Sequence, residues 1–455
     1  MQNKGLIGLV IICAIHVYIL SQLMFFPYPE LFVYPYLTNQ GLLPYQQIFD
    51  QHFPGLFFLQ LNFEVLGLTN EYIARYWQYG LVLFTQLLIY IAARKIFKND
   101  LKALLVNILY LAWQPFFQGW VLWINNILTI LYLIAFILII DIPSKTAARR
   151  LFVIGFVLGL ATLFKQVALL LAGLVGLYLL YKYRVHRLIA FYIGGLILPI
   201  VGIFGYFYSL GILRDFWFWT IQFNLTTYVR LGGSTPDLFS VKRILFALSP
   251  TWLAIFSDSK KTAVIVLLFL TGSFLAGGNN FDFTYFQPAL PFVCLATVMA
   301  LYVLLKKKYG WFVIFLYCLI TIKWMLPFYQ SHSNDYVFYF DNDTKKTAQV
   351  VKALTTPGEE IFVFGVTPLI YQMSETMPAG KVFVYQFPWF LNDAGDRVLR
   401  GLQESQPQII VSDPTVQTKG QVISQFAQPL YTYIYSHYQL KVKIGSIEIL
   451  EKKYE

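Results

Sequence analysis

The sequence predicts an α-helical polytopic membrane protein of about 11 transmembrane helices, followed by a C-terminal extracytoplasmic α/β domain. Three observations carry that prediction. Of 455 residues, 58% are hydrophobic and only 13% are charged, about half the charged share of a soluble domain. The apolar residues gather into runs close to the roughly 20 residues that a helix needs to cross a bilayer. Charge is also divided: residues 1–331 hold 23 Lys/Arg and 10 Asp/Glu, whereas residues 332–455 hold 11 and 13. A cytosolic enzyme, a disordered chain and a nucleic-acid binder are excluded, because so few charges cannot cover so much apolar surface. The net +11 belongs to loop residues that orient helices rather than to a nucleic-acid footprint.

Spans are expected near 5–26, 72–93, 102–119, 124–142, 151–164, 166–182, 187–209, 241–256, 262–276, 284–305 and 310–328. The first lacks a small-residue cleavage site before Pro27 and reads as an anchor. With a cytoplasmic N-terminus, alternate loops carry the positive charge: Arg94 to Lys102, Lys145 to Arg150, Lys182, Arg184 and Arg187, Lys260 and Lys261, Lys306 to Lys308. The stretch from Pro27 to Glu71 has no Lys or Arg. An odd number of spans places the tail outside. The expected domains are therefore 1–331, a membrane domain with a first outside loop at 27–70, and 332–455, a soluble one.

The first outside loop is rich in Pro and Tyr, which suits short interfacial helices. A second, at about 210–240, carries Phe216, Trp217, Phe218 and Trp219, which read as an interfacial aromatic belt, and then Gly232-Gly233, which reads as a hinge. Beyond His332, short β-like runs at 361–364, 381–385 and 408–411 alternate with helical candidates near 367–375, 390–404 and 419–427. Runs at 438–443 and 446–450, split by Gly445, predict a hairpin. No glycine-rich phosphate loop follows any strand, so no nucleotide cofactor is expected. Cys13, Cys294 and Cys318 lie in apolar runs and read as core residues.

Ionisable residues at membrane depth or in tight outside loops are the functional candidates, because burying them is costly. Glu30 follows Pro27-Tyr28-Pro29, which fixes the backbone, so its carboxylate is placed either as a base or as a cap for the helix from Leu31. Asp50 and His52 sit among aromatics before Pro54-Gly55, as a cavity wall or a helix cap, and no second His or carboxylate gives His52 metal-ligand spacing. Lys165-Gln166 interrupts the apolar run from Leu151 to Leu180, as a snorkelling anchor or as a ligand for an anionic headgroup. Arg214, Asp215, Asp237 and Asp282 are further outside candidates; Arg214 and Arg230 flank the aromatic cluster as interfacial anchors, or Arg230 reaches a phosphate. Asp341-Asn342-Asp343 has the form of a metal clamp but reads as linker, and no metal site is expected. Asn224-Leu225-Thr226 and Asn342-Asp343-Thr344 are glycosylation sequons, meaningful only in a eukaryotic secretory pathway.

Glu30, Gly41-Leu42-Leu43-Pro44-Tyr45, Asp50 and Phe53-Pro54-Gly55, taken in this order, resemble the first outside loop of the integral-membrane GT-C-fold glycosyltransferases. The bacterial relatives of protein O-mannosyltransferases and of the lipid A aminoarabinose transferase are the most similar. Gly159-Leu160-Ala161-Thr162-Leu163-Phe164-Lys165-Gln166 is similar to their G-L-A-x-L-x-K-Q segment, and Tyr285-Phe286-Gln287-Pro288-Ala289-Leu290-Pro291 to their Y-x-x-P-x-x-P. Two departures stand out: the first acidic position is Glu rather than Asp, and Asn125-Asn126 stands where relatives carry an acid.

The resemblance implies an inverting transfer from a polyprenyl-phosphate-sugar donor to a lipid, glycan or protein acceptor on the outer face. Glu30 or Asp50 would then be the catalytic base. Lys165, Gln166, His52, Tyr45, Arg230 and Tyr285 would bind substrate, with no cofactor. Membrane lipids are the remaining partners, in the plasma membrane. Two other classes compete: a lipid or glycan transporter, which should show inverted repeats and polar mid-span residues, and a non-catalytic partner in cell-envelope glycan assembly.

Overall fold

The computed structural model describes residues 2–183, 186–275 and 282–453. Arg184 of the expected cytoplasmic loop and the end of the 262–276 span lie outside them. The chain forms two compact units. The first comprises Met1–Phe25, Arg75–Tyr206 and Ser234–Tyr336; the second comprises Phe26–Ala74, Phe207–Gly233 and Val337–Glu455.

Helices fill the first unit. Among the described residues, seven are long and apolar enough to cross a membrane: Lys4–Ser21, Glu71–Phe97, Ala147–Phe164, Arg187–Ser209, Leu238–Phe256, Phe283–Leu305 and Gly310–His332. Four more, Asp100–Gln114, Ile124–Ile140, Ala168–Tyr183 and Lys260–Leu275, run 15, 17, 16 and 16 residues. At 1.5 Å per residue these span about 22–26 Å, short of a hydrocarbon core of about 30 Å. Each of the eleven expected stretches thus contains a helix, seven of them in apolar helical runs of 18 residues or more.

Backbone-to-backbone approach holds one helix pair together. A Cβ added at Gly155 would lie 2.0 Å from the Tyr192 carbonyl oxygen, at Gly159 2.5 Å from that of Leu196, and at Gly195 2.0 Å from that of Phe152. This is the small-xxx-small contact, which lets helix backbones approach where water supplies no driving force. It also fixes the helix that ends at Phe164, one residue before Lys165. Polar mid-span residues exist too, and one group of them is linked by hydrogen bonds. His16 Nε2 lies 3.0 Å from Gln114 Oε1, Gln86 Nε2 lies 2.9 Å from His16 Nδ1, and Asn107 Nδ2 donates to Gln86 Oε1 at 2.6 Å. Such a network links helices.

The second unit is built on a five-stranded mixed sheet, in the order Tyr438–Ile444, Ile447–Lys452, Ile409–Ser412, Glu360–Phe364, Met377–Pro378. Glu360–Phe364 runs parallel to Ile409–Ser412, with Phe362 beside Ile410, while the expected hairpin pairs antiparallel around Gly445. Gly445 has φ +59, and a Cβ there would meet Asp343 Oδ2 at 2.4 Å. The central strands Ile361–Phe364 and Ile409–Ser412 are wholly buried, as apolar runs without alternation require.

Three expectations are corrected here. Asp341-Asn342-Asp343 is no linker: Asp341 Oδ1 accepts from Thr344 N at 2.9 Å and caps the helix Asn342–Leu354. Residues 213–231 are helical, through wide π-type turns at Phe218–Gln222 and Asn224–Tyr228. Their aromatics are not all an interfacial belt: Phe216, Trp219 and Phe223, at i, i+3 and i+7, are buried, and only Trp217 is half exposed. Lys419 Nζ binds the carbonyls of Gly232 and Gly233 at 2.6 and 2.7 Å, which ties down the expected hinge.

Candidate active site

In the second unit, the loop after the first span and the C-terminal residues build one acidic group. Pro29 takes the N-cap position and Glu30 starts the helix Glu30–Asn39, which sets its carboxyl at the helix entrance. Tyr34 lies one turn further along the same face. Asp50 follows the short strand Ile48–Phe49, which pairs in parallel with Phe383–Val384 and thereby sets Asp50 level with Tyr385. Tyr45, in a left-handed conformation at φ +62, turns the chain into that strand.

The two carboxyls are treated differently. Asp50 is 2% exposed and well supplied with donors. Tyr34 Oη donates to its Oδ1 at 3.0 Å, the His52 amide donates to Oδ2 at 3.0 Å, and His52 Nδ1 lies 3.0 Å from Oδ2. Tyr45 Oη binds the His52 carbonyl at 2.9 Å and holds that turn. Glu30 Oε2, by contrast, is sealed from solvent with no hydrogen-bond partner, and the buried Tyr385 hydroxyl interacts with the same carboxyl. Burial pushes the Glu30 carboxyl up to about 7; its own backbone amide opposes the rise, the charge of Asp50 adds to it, and His52 and Tyr385 oppose it. Burial and the neighbouring carboxylates also hold the Tyr34 and Tyr385 hydroxyls protonated, well above the usual phenol range. Glu30 lines a cavity of about 290 Å³ within this unit.

The first unit holds a cationic group. Lys165 leaves the end of the helix Ala147–Phe164, and its Nζ stands 3.5 Å from the centroid of the Tyr285 ring. Burial lowers its ammonium to about 7, opposed by the charge of Asp282. Asp282 is the N-cap of the short helix Phe283–Ala289, accepting from Thr284 N at 3.0 Å, and burial raises its carboxyl. Gln118, at φ +60 in the turn Pro115–Gly119, adds an acceptor to the same Thr284 amide at 2.9 Å.

Arg243, which the sequence reasoning passed over, belongs beside these. It is 8% exposed, and its Nε and Nη2 are sealed without a hydrogen-bond partner. Its guanidinium lies 3.5 Å from the Phe116 ring centroid and 4.1 Å from that of Phe283. Lys165 and Arg243 therefore both rest on rings of Phe283–Ala289. The signal was present, since an arginine inside an apolar span is a functional candidate by default.

The remaining candidates divide plainly. Gln166 follows Lys165 in the same turn, half-buried. Arg230 and Arg214 are exposed, and Asp237 caps Leu238–Leu248 through Ser240 N at 2.7 Å. Asn126 Oδ1 accepts from Trp123 N at 3.1 Å, a capping role where relatives are expected to carry an acid. Among the described residues, no group of three His, Cys, Asp or Glu is placed to hold a metal ion.

No protein-family model and no curated protein sequence matches the chain. Solved structures do. ArnT from Cupriavidus metallidurans bound to undecaprenyl phosphate superposes with a TM-score of 0.67 at 13% identity, over 99% of this chain and 98% of that one. Its apo state gives 0.64 at 12% identity, over 99% and 98%. The oligosaccharyltransferase of Archaeoglobus fulgidus, tethered to an acceptor peptide containing the NVT sequon, gives 0.53 at 12%, over 97% of this chain and 72% of that one. At such identities the likeness speaks for architecture. The chain has the GT-C fold of these integral-membrane glycosyltransferases.

Proposed function

We propose that the protein is a membrane glycosyltransferase that moves a sugar from a polyprenyl-phosphate donor to an acceptor hydroxyl on the outer face of the membrane, with inversion. The observation that carries this reading is Glu30: a buried carboxyl, unpaired at Oε2, raised to about 7 and facing a cavity. A base poised near the working pH is half ionised and takes a proton more readily than an ordinary carboxylate. Asp50, with its hydrogen bonds already made, positions rather than reacts. It holds Tyr34 and His52 in place and keeps the carboxyl of Glu30 high.

In the step, the acceptor O–H gives its proton to Glu30 while its oxygen bonds to the anomeric carbon. The bond from that carbon to the lipid-phosphate oxygen breaks, and the electron pair leaves with the phosphate. Lys165 and Arg243, both in the first unit, are the buried cations whose chemistry suits a lipid phosphate. Undecaprenyl phosphate bound to ArnT supports a polyprenyl phosphate as the leaving group. The N-terminus then lies in the cytoplasm and the second unit outside, in agreement with the loop charges.

The test is transfer in membranes fed a labelled polyprenyl-phosphate sugar, with Glu30→Gln and Asp50→Asn at matched expression. Loss of transfer in Glu30→Gln with donor binding kept supports the reading. Full activity in that variant removes the assignment of the base, and no transfer by wild type from any such donor removes the function.

A further inference from the structure

The cavity beside Glu30 has a lining that identifies what enters it. It opens at the carboxyl ends of the parallel strands, around Phe362, Val363 and Gly365, the edge where α/β sheets take ligands. Its volume, about 290 Å³, is at the small end of ligand sites. That suits one ring-sized group and not a polymer or an acyl chain.

The walls are aromatic. Tyr28, Phe383, Tyr385 and Phe387 line them, with Phe387 stacked on Tyr385 at 5.8 Å and on Trp389 at 4.8 Å. Aromatic faces carry negative charge density and attract C–H groups that bear partial positive charge. Three polar atoms of the lining are buried: Glu30 Oε2, Tyr385 Oη and Thr367 Oγ1. The Tyr385 hydroxyl, 8% exposed, interacts with the Glu30 carboxyl, whereas Thr367 Oγ1 has no partner and gains one only from a ligand. Among the described lining residues, Glu30 is the one charged side chain, and none is Lys, Arg or His. A phosphate or carboxylate entering here would meet a carboxylate and no cation. A neutral polyol ring meets apolar faces, two hydroxyls and one acceptor.

We propose that this cavity is the acceptor site, and that the acceptor group is a neutral saccharide unit whose ring lies on the aromatic walls and whose hydroxyl points at Glu30. The proposal rests on the reading of Glu30 as the base. Tyr385 and Thr367 bind the ring hydroxyls and select for their presence. A free sugar, a lipid-linked sugar and the end of a glycan share this chemistry.

The experiment is saturation-transfer NMR on the full-length protein in lipid nanodiscs, with methyl glycosides of neutral hexoses and pentoses as probes. Glucose 6-phosphate and a serine-containing peptide provide the competing chemistries. At least one neutral glycoside binds, and its Kd rises about tenfold or more in Thr367→Val and in Val416→Trp, which fills the cavity rim. Longer lipid-linked acceptors then compete with that glycoside if the lipid-linked form is the source. Thr367→Val is nearly isosteric and Val416 is 37% exposed, so both variants fold. Absence of glycoside binding, preference for the phosphorylated sugar or the peptide, or binding untouched by both substitutions overturns the proposal. Glu30→Gln separates the two claims. If transfer survives it while glycoside binding still depends on Thr367 and Val416, the base assignment falls and the cavity stands.

Discussion

Replacing Glu30 by Gln should move activity and stability in opposite directions, and the structure sets the size of both effects. Burial lifts the carboxyl from an ordinary 4.5 to about 7, so the folded protein holds a proton that the unfolded chain has released over that interval. Stability then falls as pH rises from about 4.5 through about 7, and above 7 the buried carboxylate costs about 3 kcal/mol. Gln keeps the shape and carries no charge. The variant should therefore unfold at a higher temperature than wild type near pH 8, with the gap closing as pH falls below 4.5, where Glu30 becomes protonated in both states. Sugar transfer should drop by about 10²–10⁴, the share of a general base, or about 3–5 kcal/mol on the barrier. Thermal unfolding in nanodiscs across this pH range, beside single-turnover transfer, measures both. A variant less stable than wild type at pH 8, or one that transfers normally, refutes the reasoning.

Four other substitutions test separate parts of the account. Asp50→Asn removes a negative neighbour of Glu30, so the acid limb of the pH–rate profile should shift to lower pH; an unmoved limb would show that the two carboxyls do not interact. Tyr34→Phe deletes the donor to Asp50 Oδ1 and should cost about 1.5–3 kcal/mol in thermal unfolding, as expected for a hydrogen bond to a charged group. Lys165→Met should weaken binding of a fluorescent polyprenyl phosphate about tenfold or more while leaving folding intact, since Met keeps the apolar stem against Tyr285 and removes a charge that burial disfavours. Gly159→Val places a side chain against the Leu196 carbonyl and should destabilise by about 1–3 kcal/mol or more, read as loss of monodisperse protein by size exclusion.

Much of the fold is legible in the sequence because it is written in local runs. Apolar length marks the helical stretches, and the β-like runs around Gly445 mark the hairpin. The missed helix Asn342–Leu354 was legible as well. Asp341 stands before a Thr at the third helical position, and Thr344, Thr347, Ala348 and Val351 repeat at helical spacing, all buried. The polar Asp-Asn-Asp start disguised it as a linker. For the site, Glu30 and Asp50 declared themselves through their prolines and aromatic surroundings. Tyr34 could have been found one helical turn from Glu30. Tyr385 could not, because only the pairing of Ile48–Phe49 with Phe383–Val384 brings it level with Asp50, and nothing in either strand specifies the other. Arg243 was legible as an arginine inside an apolar span, but the rings that surround it, Phe116 and Phe283, come from distant parts of the chain.

The most direct test of Glu30 as the base is the pH dependence of one turnover by the purified full-length protein. The rate is measured with a labelled polyprenyl-phosphate sugar between about pH 5.5 and 8.5. Because a base must be ionised to act, the account predicts a limb that rises with pH through a midpoint near 7 in wild type, followed by a fall as Lys165 loses its proton, and a low rate with no rising limb in Glu30→Gln. A wild-type rate already level at pH 5.5, or the same rising limb in the variant, would contradict it.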